Sequence, residues 1–263
     1  VTQFGRPHRR YRACDSTNER ARALAEAGAP SGTVVTAAEQ SAGRGRRGRS
    51  WSAPPGAALL YSAVLRPLDR RHLLLPLSVP LAVCDAIEAL APVECAVKWP
   101  NDVWLCEREA AQGEGVAGQD DSEPDAKPVI PGRKVAGILI EAHPPEWAVI
   151  GVGINLCVEP EEFPADLRWP ATSVGHGTSP EEMLEALNYA LSEWDEADDQ
   201  EILATFSRRD ALRGREIGWD ASSGQGSGSG RAAGVADDGN LIVELAEGGR
   251  VSLGAGEVTL RLQ

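Results

Sequence analysis

The sequence contains no run approaching the ~20 apolar residues that a membrane-spanning helix needs. Its first residues, VTQFGRPHRRYRAC, lack the apolar core of a signal peptide. Its cysteines, Cys14, Cys84, Cys95, Cys106 and Cys157, are odd in number and none is spaced as a metal ligand. That predicts reduced thiols rather than a disulfide framework or a zinc site. Positive charge is also short: the net charge is −13, against a general nucleic-acid binder, which needs a basic footprint. Gly151 and Gly153 in WAVIGVGIN resemble part of a phosphate motif, but the pattern is not GxGxxG and no helix follows. These absences predict a soluble, cytoplasmic protein that contacts neither membrane nor DNA.

Against that acidic background one stretch stands out, Gly43 to Trp51, GRGRRGRSW. Four arginines and three glycines occupy its first seven residues. Guanidinium groups suit phosphate and carboxylate oxygens, and glycine lets the backbone approach a ligand. A solvated basic patch would have the same composition. The flanks, TVVTAA before and ALLYSAVL after, read as core strands, which favours an anion-grasping loop over a tail. A basic loop on an acidic body points to a small anionic ligand.

The remaining chain, with its 263 residues, has room for one large domain and a small one. Arg10 to Ala13 reads as a short strand. Ser16-Thr17-Asn18-Glu19 reads as a capping box opening a helix that stops at Gly28, and its side chains also suit a polar ligand. Gln40 ends the strand that feeds the basic loop. Leu73 to Leu90 is predicted as an apolar helix with a late start or a kink at Pro76 or Pro80. Val93 to Lys98 is a strand that turns at Trp99-Pro100-Asn101-Asp102. The turn crowds Lys98, Asn101 and Asp102 between apolar strands, where charge is costly without partners. Residues 107–127 hold seven acidic and two basic side chains and little to bury, which predicts a disordered insertion. Lys134 to Glu141 and Trp147 to Asn155 are strands, the latter with glycines making room on one face. Helices are expected from Pro180 to about Ala197 and from Glu201 to Ala211. Five short strands after Glu216 suggest a small barrel, with Ser222 to Gly230 as a loop.

Five motifs in order resemble those of biotin protein ligases: Ser16-Thr17-Asn18, the run from Glu39 to Arg49, Lys98-Trp99-Pro100-Asn101-Asp102, Arg133-Lys134-Val135-Ala136-Gly137-Ile138-Leu139, and Gly151-Val152-Gly153-Ile154-Asn155. The resemblance implies an α+β fold: a mixed sheet flanked by helices, related to class II aminoacyl-tRNA synthetases, plus a C-terminal SH3-like β-barrel. It implies a catalytic domain over residues 1–210 and a small domain over 211–263. The implied chemistry uses ATP and Mg to turn biotin into biotinyl-AMP, then passes biotin to a lysine of a carboxylase's biotin carboxyl carrier domain. By position, Ser16, Thr17, Asn18, Gln40, Gly43, Arg44, Gly45, Arg46, Lys134, Gly137, Gly151 and Gly153 fall where the family binds biotin. Arg47, Trp51, Asn101, Lys134 and Asn155 fall where it binds ATP. Lys134, Arg46, Asp102 and Lys98 match catalytic positions, with Asn101 and Asp102 near a Mg ion. Only fifteen residues precede Ser16, so the family's helix-turn-helix domain and a repressor role are not expected, and a monomer or weak homodimer is.

Two rivals differ in prediction. A lipoate or octanoate ligase on a related fold would ignore biotin in an ATP exchange assay. A non-catalytic RNA- or partner-binding module would bind with steep salt dependence and no response to biotin.

Overall fold

The computed structural model describes residues 2–106, 131–165, 167, 169–221, 226–255 and 258–262. The expected insertion at 107–127 lies outside them. In chain order the elements are β1 (His8–Tyr11), α1 (Thr17–Glu26), β2 (Val34–Ala37), β3 (Ala58–Leu65), α2 (Leu75–Glu88), β4 (Cys95–Lys98), β5 (Asp102–Cys106), β6 (Pro131–His143) and β7 (Trp147–Asn155). They are followed by α3 (Pro180–Glu196), α4 (Asp199–Arg209), β8 (Glu216–Ala221), β9 (Gly228–Val235), β10 (Leu241–Glu244), β11 (Arg250–Leu253) and β12 (Val258–Leu262).

Strands β1 to β7 form a mixed sheet in the order β1-β2-β3-β7-β6-β5-β4, parallel only between β1 and β2. The period of two along each strand gives the sheet two unlike faces. One carries Tyr61, Ala63, Leu65, Ile150, Val152, Ile154 and Val103, all buried in a single core with α2 and α3. The apolar α2 is buried along most of its length, with Pro76 in its first turn and Pro80 inside. A short 3-10 turn, Arg70–Leu74, precedes it, so the helix proper starts later than Leu73, as the prolines require. On the other face the one helix among the described residues is α1, which packs Ala21 and Ala25 on Val35, Val64 and Val149. A ten-residue helix cannot cover seven strands. Beyond α1 that side of the sheet stays open over β3, β7 and β6, and the pocket forms there.

Strands β8 to β12 make a second, antiparallel sheet in the order β11-β10-β9-β8-β12. The loop expected over 222–230 is shorter, because Gly228 to Gly230 already belong to β9. This small unit braces the turn between β4 and β5: the fully buried Trp99 donates its indole N–H to the Gly239 carbonyl at 3.1 Å. Among the described residues no helix is long and apolar enough to cross a membrane. All five cysteines are unpaired thiols, Cys84 and Cys95 buried and the other three half-buried.

Candidate active site

A cavity of about 620 Å³ opens over β7, β6 and β3, roofed by the basic loop and by Phe163, Pro164, Leu167, Trp169 and Ala171. Its two ends differ in chemistry.

At one end α1 begins. Ser16 occupies the N-cap position, but its side chain makes no capping hydrogen bond, so the expected capping box does not form. Helix start and pocket compete for the same polar groups here, and the pocket takes them. The Thr17 hydroxyl and N–H both donate to Gln40 Oε1, at 3.1 and 2.7 Å. Ser62, wholly buried on β3, points its hydroxyl at Thr17 Oγ1 (2.8 Å) and Asn18 Oδ1 (2.6 Å). The Asn18 amide donates to Leu139 O (3.3 Å) and Glu141 Oε2 (2.9 Å). It lies flat over Gly151, where a β-carbon would sit 2.7 Å from its Cγ. Ser16, Thr17 and Gln40 line the cavity, while Asn18 stands behind them.

At the other end a β-bulge decides the geometry. β5 pairs Val103 with Ala136 and Trp104 with Lys134, so Val135 is an extra residue in β6. Without it, alternation would turn Lys134 away from the face that carries Gly137; the extra residue brings both to the pocket side. Lys134 Nζ then lies 2.6 Å from Asp102 Oδ1, and Lys98 Nζ lies 3.8 Å from Asp102 Oδ2. Burial opposes ionisation of Asp102, but Lys134 and Lys98 beside it hold its carboxyl below the usual range. The buried Lys98 also sits 4.9 Å from the Trp169 ring and 5.9 Å from Trp104, both suited to a partly desolvated ammonium.

The basic loop connects the two ends. Trp51 lies across Gly137 and Gly153, where β-carbons would come within 2.7 Å of its ring, and the Lys134 ammonium is 5.4 Å from it. These two glycines pair across β6 and β7, so together they clear the floor for an aromatic plate. Arg46 donates to Asn101 Oδ1 at 2.9 Å and to the Ala255 carbonyl, just after β11 of the small sheet. Arg47 adopts a left-handed conformation, φ 58°, that allows the tight turn of the loop. Arg44 points elsewhere, toward Glu19 and Glu141. Gly43 lies against the Trp51 backbone, while Gly45, Arg46 and Arg47 line the cavity.

The cavity thus brings together Ser16, Thr17, Gln40, Arg44, Gly45, Arg46, Arg47, Trp51, Asn101, Lys134, Gly137, Gly151, Gly153 and Asn155 from the motifs. Lys98, Asp102, Asn18 and Gly43 stand one layer behind. Sequence reasoning missed Ser62, Phe163, Leu167, Trp169 and Ala171. The segment containing the last four is held to the site by Lys134 N–H to Pro170 O (2.8 Å), Thr172 N–H to Lys134 O (2.9 Å) and Asn155 Nδ2 to Thr172 O (3.0 Å). Its signal was visible in the alternation of aromatics and prolines, FPADLRWPA, after the Gly151–Asn155 motif.

Residues 11–155 match the biotin/lipoate A/B protein ligase family. The chain belongs to that family. Residues 221–261 match the biotin protein ligase C-terminal domain. The chain is 34% identical to the biotin--[acetyl-CoA-carboxylase] ligase of Paracoccus denitrificans over 93% of its own length and 96% of that protein. It is 31% identical to the ligase of the same name from Mycobacterium tuberculosis, over 92% and 85% respectively. Among solved structures, the biotin protein ligase of Aquifex aeolicus in complex with biotin and ATP superposes with a TM-score of 0.74 at 26% identity, covering 98% of this chain and all of that one. The mixed sheet with flanking helices and the separate C-terminal β unit are therefore the biotin-ligase architecture.

The sequence resemblance implies a Mg ion near Asn101 and Asp102. Asp102 faces two ammonium groups and Asn101 Oδ1 accepts from Arg46. Asp102 Oδ1 is buried with no hydrogen bond and faces the Lys134 ammonium, and no group of three or more His, Cys, Asp or Glu among the described residues could hold a metal ion. Asn101 and Asp102 alone do not form a resident metal site, and the Mg expected near them is associated with the substrate ATP.

Proposed function

We propose that this chain is an ATP-dependent biotin protein ligase that makes biotinyl-AMP and transfers biotin to a lysine of a carboxylase's biotin carboxyl carrier domain. The carrying observation is the polarity of one cavity: neutral hydrogen-bonding groups at the α1 end, cations at the β6 end. Biotin's uncharged ureido ring asks for neutral partners, whereas two meeting anions ask for fixed positive charge.

In the first step a carboxylate oxygen of biotin bonds to the α-phosphorus of ATP, and the bond from that phosphorus to the β-phosphate oxygen breaks. Lys134 and Arg46 balance the negative charge that builds up. Lys134 must exchange its Asp102 partner for the ligand oxygens, so Asp102 becomes available for a second cation. In the second step the carrier lysine amine attacks the acyl carbon, AMP leaves, and the amine loses a proton. With an ordinary pKa of ~3.9 for a carboxylate against ~10.4 for a lysine, Asp102 positions the amine rather than removing its proton. Ser16, Thr17, Gln40, Gly45 and the strand glycines hold the biotin end. Trp51 and Trp169 offer aromatic faces to adenine, with Asn101, Arg47 and Asn155 around the nucleotide. We assign the catalytic unit to residues 1–210 and the small domain to 211–263.

The test is pyrophosphate release from ATP with biotin, lipoate or octanoate, followed by transfer to a purified carrier domain. Release that depends on biotin alone, with label on one carrier lysine, supports the proposal. Release with lipoate but not biotin refutes it.

A further inference from the structure

Arg44 stands in the most basic stretch of the chain, yet two carboxylates claim it. Its guanidinium spans Glu141, with Nη2 3.0 Å from Oε1 and Nη1 3.4 Å from Oε2, and it also meets Glu19 on α1. Glu141 Oε2 accepts the Asn18 amide at 2.9 Å as well. One partly buried carboxylate on β6 therefore touches both segments of the biotin end: the start of α1 through Asn18, and the root of the basic loop through Arg44. Backbone hydrogen bonds from Ser41 N–H to Cys14 O (2.9 Å) and from Ala42 N–H to Asp15 O (2.8 Å) join the two segments just before these side chains, and Glu141 adds a tie beyond them from β6.

We infer that Glu141 is a positioning residue that ties the basic loop to the start of α1 and so fixes the shape of the biotin end of the cavity. The inference rests on the function proposed above. The two ties differ in kind. The Asn18 contact needs only an acceptor oxygen; it orients an amide whose other end receives the Ser62 hydroxyl, next to Thr17. The Arg44 contact needs charge, and its two-point geometry sets the direction in which the loop leaves the sheet. Arg44 thereby works by where it holds the loop, with Arg46 the cation presented to the phosphate end. Glu19 shares the load on Arg44, so removal of Glu141 loosens the loop without freeing it.

The assay is biotin-dependent pyrophosphate release by the full chain, with KM measured separately for biotin and ATP. Glu141→Gln keeps an oxygen for Asn18 and removes the charge opposite Arg44; Glu141→Leu removes both. Glu141→Gln should raise KM for biotin about threefold to tenfold, the range of a partly exposed ion pair, and leave KM for ATP and the melting temperature unchanged. Glu141→Leu should raise KM for biotin further. In an Arg44→Gln background, Glu141→Gln should add little, because the two act through one contact. An unchanged KM for biotin in Glu141→Gln overturns the inference, as does an equal rise in KM for ATP or an undiminished effect in the Arg44→Gln background. Should Glu141→Leu fail to fold, the near-isosteric Gln variant and the double variant still decide. A wild-type protein silent with biotin but active with another carboxylic acid refutes the biotin assignment instead, and the same variants read with that acid then decide the role of Glu141.

Discussion

Replacing Lys134 by Met removes the cation from the pocket and leaves Asp102 buried with one partner fewer. The structure sets the scale of the damage. Asp102 is 5% exposed and loses a contact of 2.6 Å, while Lys98 remains at 3.8 Å. Loss of a partner from a buried pair costs ~3–5 kcal/mol. The surviving lysine and the 23% exposure of the Lys134 side chain reduce that to about 1–3 kcal/mol. The cost depends on an ionised Asp102. Its folded-state pKa is lowered in the wild type, so that stabilisation is full above the ordinary carboxylate value and is lost as pH falls through the folded value. The gap between Lys134→Met and wild type should accordingly be present at pH 7.5 and narrow below about pH 4. Adding Asp102→Asn should restore much of the stability, because the orphaned charge is gone, but none of the adenylation. The measurements are chemical denaturation across pH and biotin-dependent pyrophosphate release. A folded Lys134→Met protein with near-normal pyrophosphate release would refute the catalytic role. A single variant as stable as wild type at pH 7.5 would refute the ion pair.

Three further variants probe other parts of the structure. Gly151→Ala drives a methyl into the Asn18 amide, which three hydrogen bonds hold in place, so biotin affinity should fall at least tenfold with a cost of about 1–3 kcal/mol from the strain; unchanged binding by calorimetry would show that Asn18 yields freely. Asp210 lies in the link between α4 and β8, its carboxyl pushed up to about 6 by burial and its Oδ1 accepting from Leu212 N–H at 2.8 Å. A raised carboxylate pKa costs stability as pH rises through the window from 3.8 to about 6. Asp210→Asn, which keeps the acceptor, should therefore gain ~1–2 kcal/mol at pH 8 and little at pH 4.5; an equal gain at both would exclude titration as the cause. Arg46→Gly cuts the ties to Asn101 and Ala255 and removes a charge from the phosphate end. It should leave some adenylation but release biotinyl-AMP, seen as biotin on an unrelated lysine-rich protein, and labelling no greater than wild type despite confirmed adenylate would refute retention by this loop.

The sequence by itself determined the chemistry on offer and much of the local structure. Apolar runs marked β3 and β7, Trp99-Pro100-Asn101-Asp102 marked the turn between β4 and β5, and Ser179 with Leu184, Leu187 and Leu191 marked α3. The glycines of β6 and β7 marked a floor needing room, and the structure fills that room with Trp51 and Asn18. Such features depend on near neighbours, so they can be read in a short window. Tertiary structure alone decided which side chains meet. The extra residue Val135 turns Lys134 to the pocket through a change in pairing with β5, which no single-strand pattern encodes. Ser16 looked like a capping residue because local propensity favours that role; the pocket outcompeted it. Arg44 looked equivalent to its fellow arginines, yet Glu19 and Glu141, the latter 97 positions away, separate it from them. Charge and hydrogen-bonding capacity are properties of a residue, but whether they are spent on a neighbour or kept for a ligand depends on distances that only the folded chain sets.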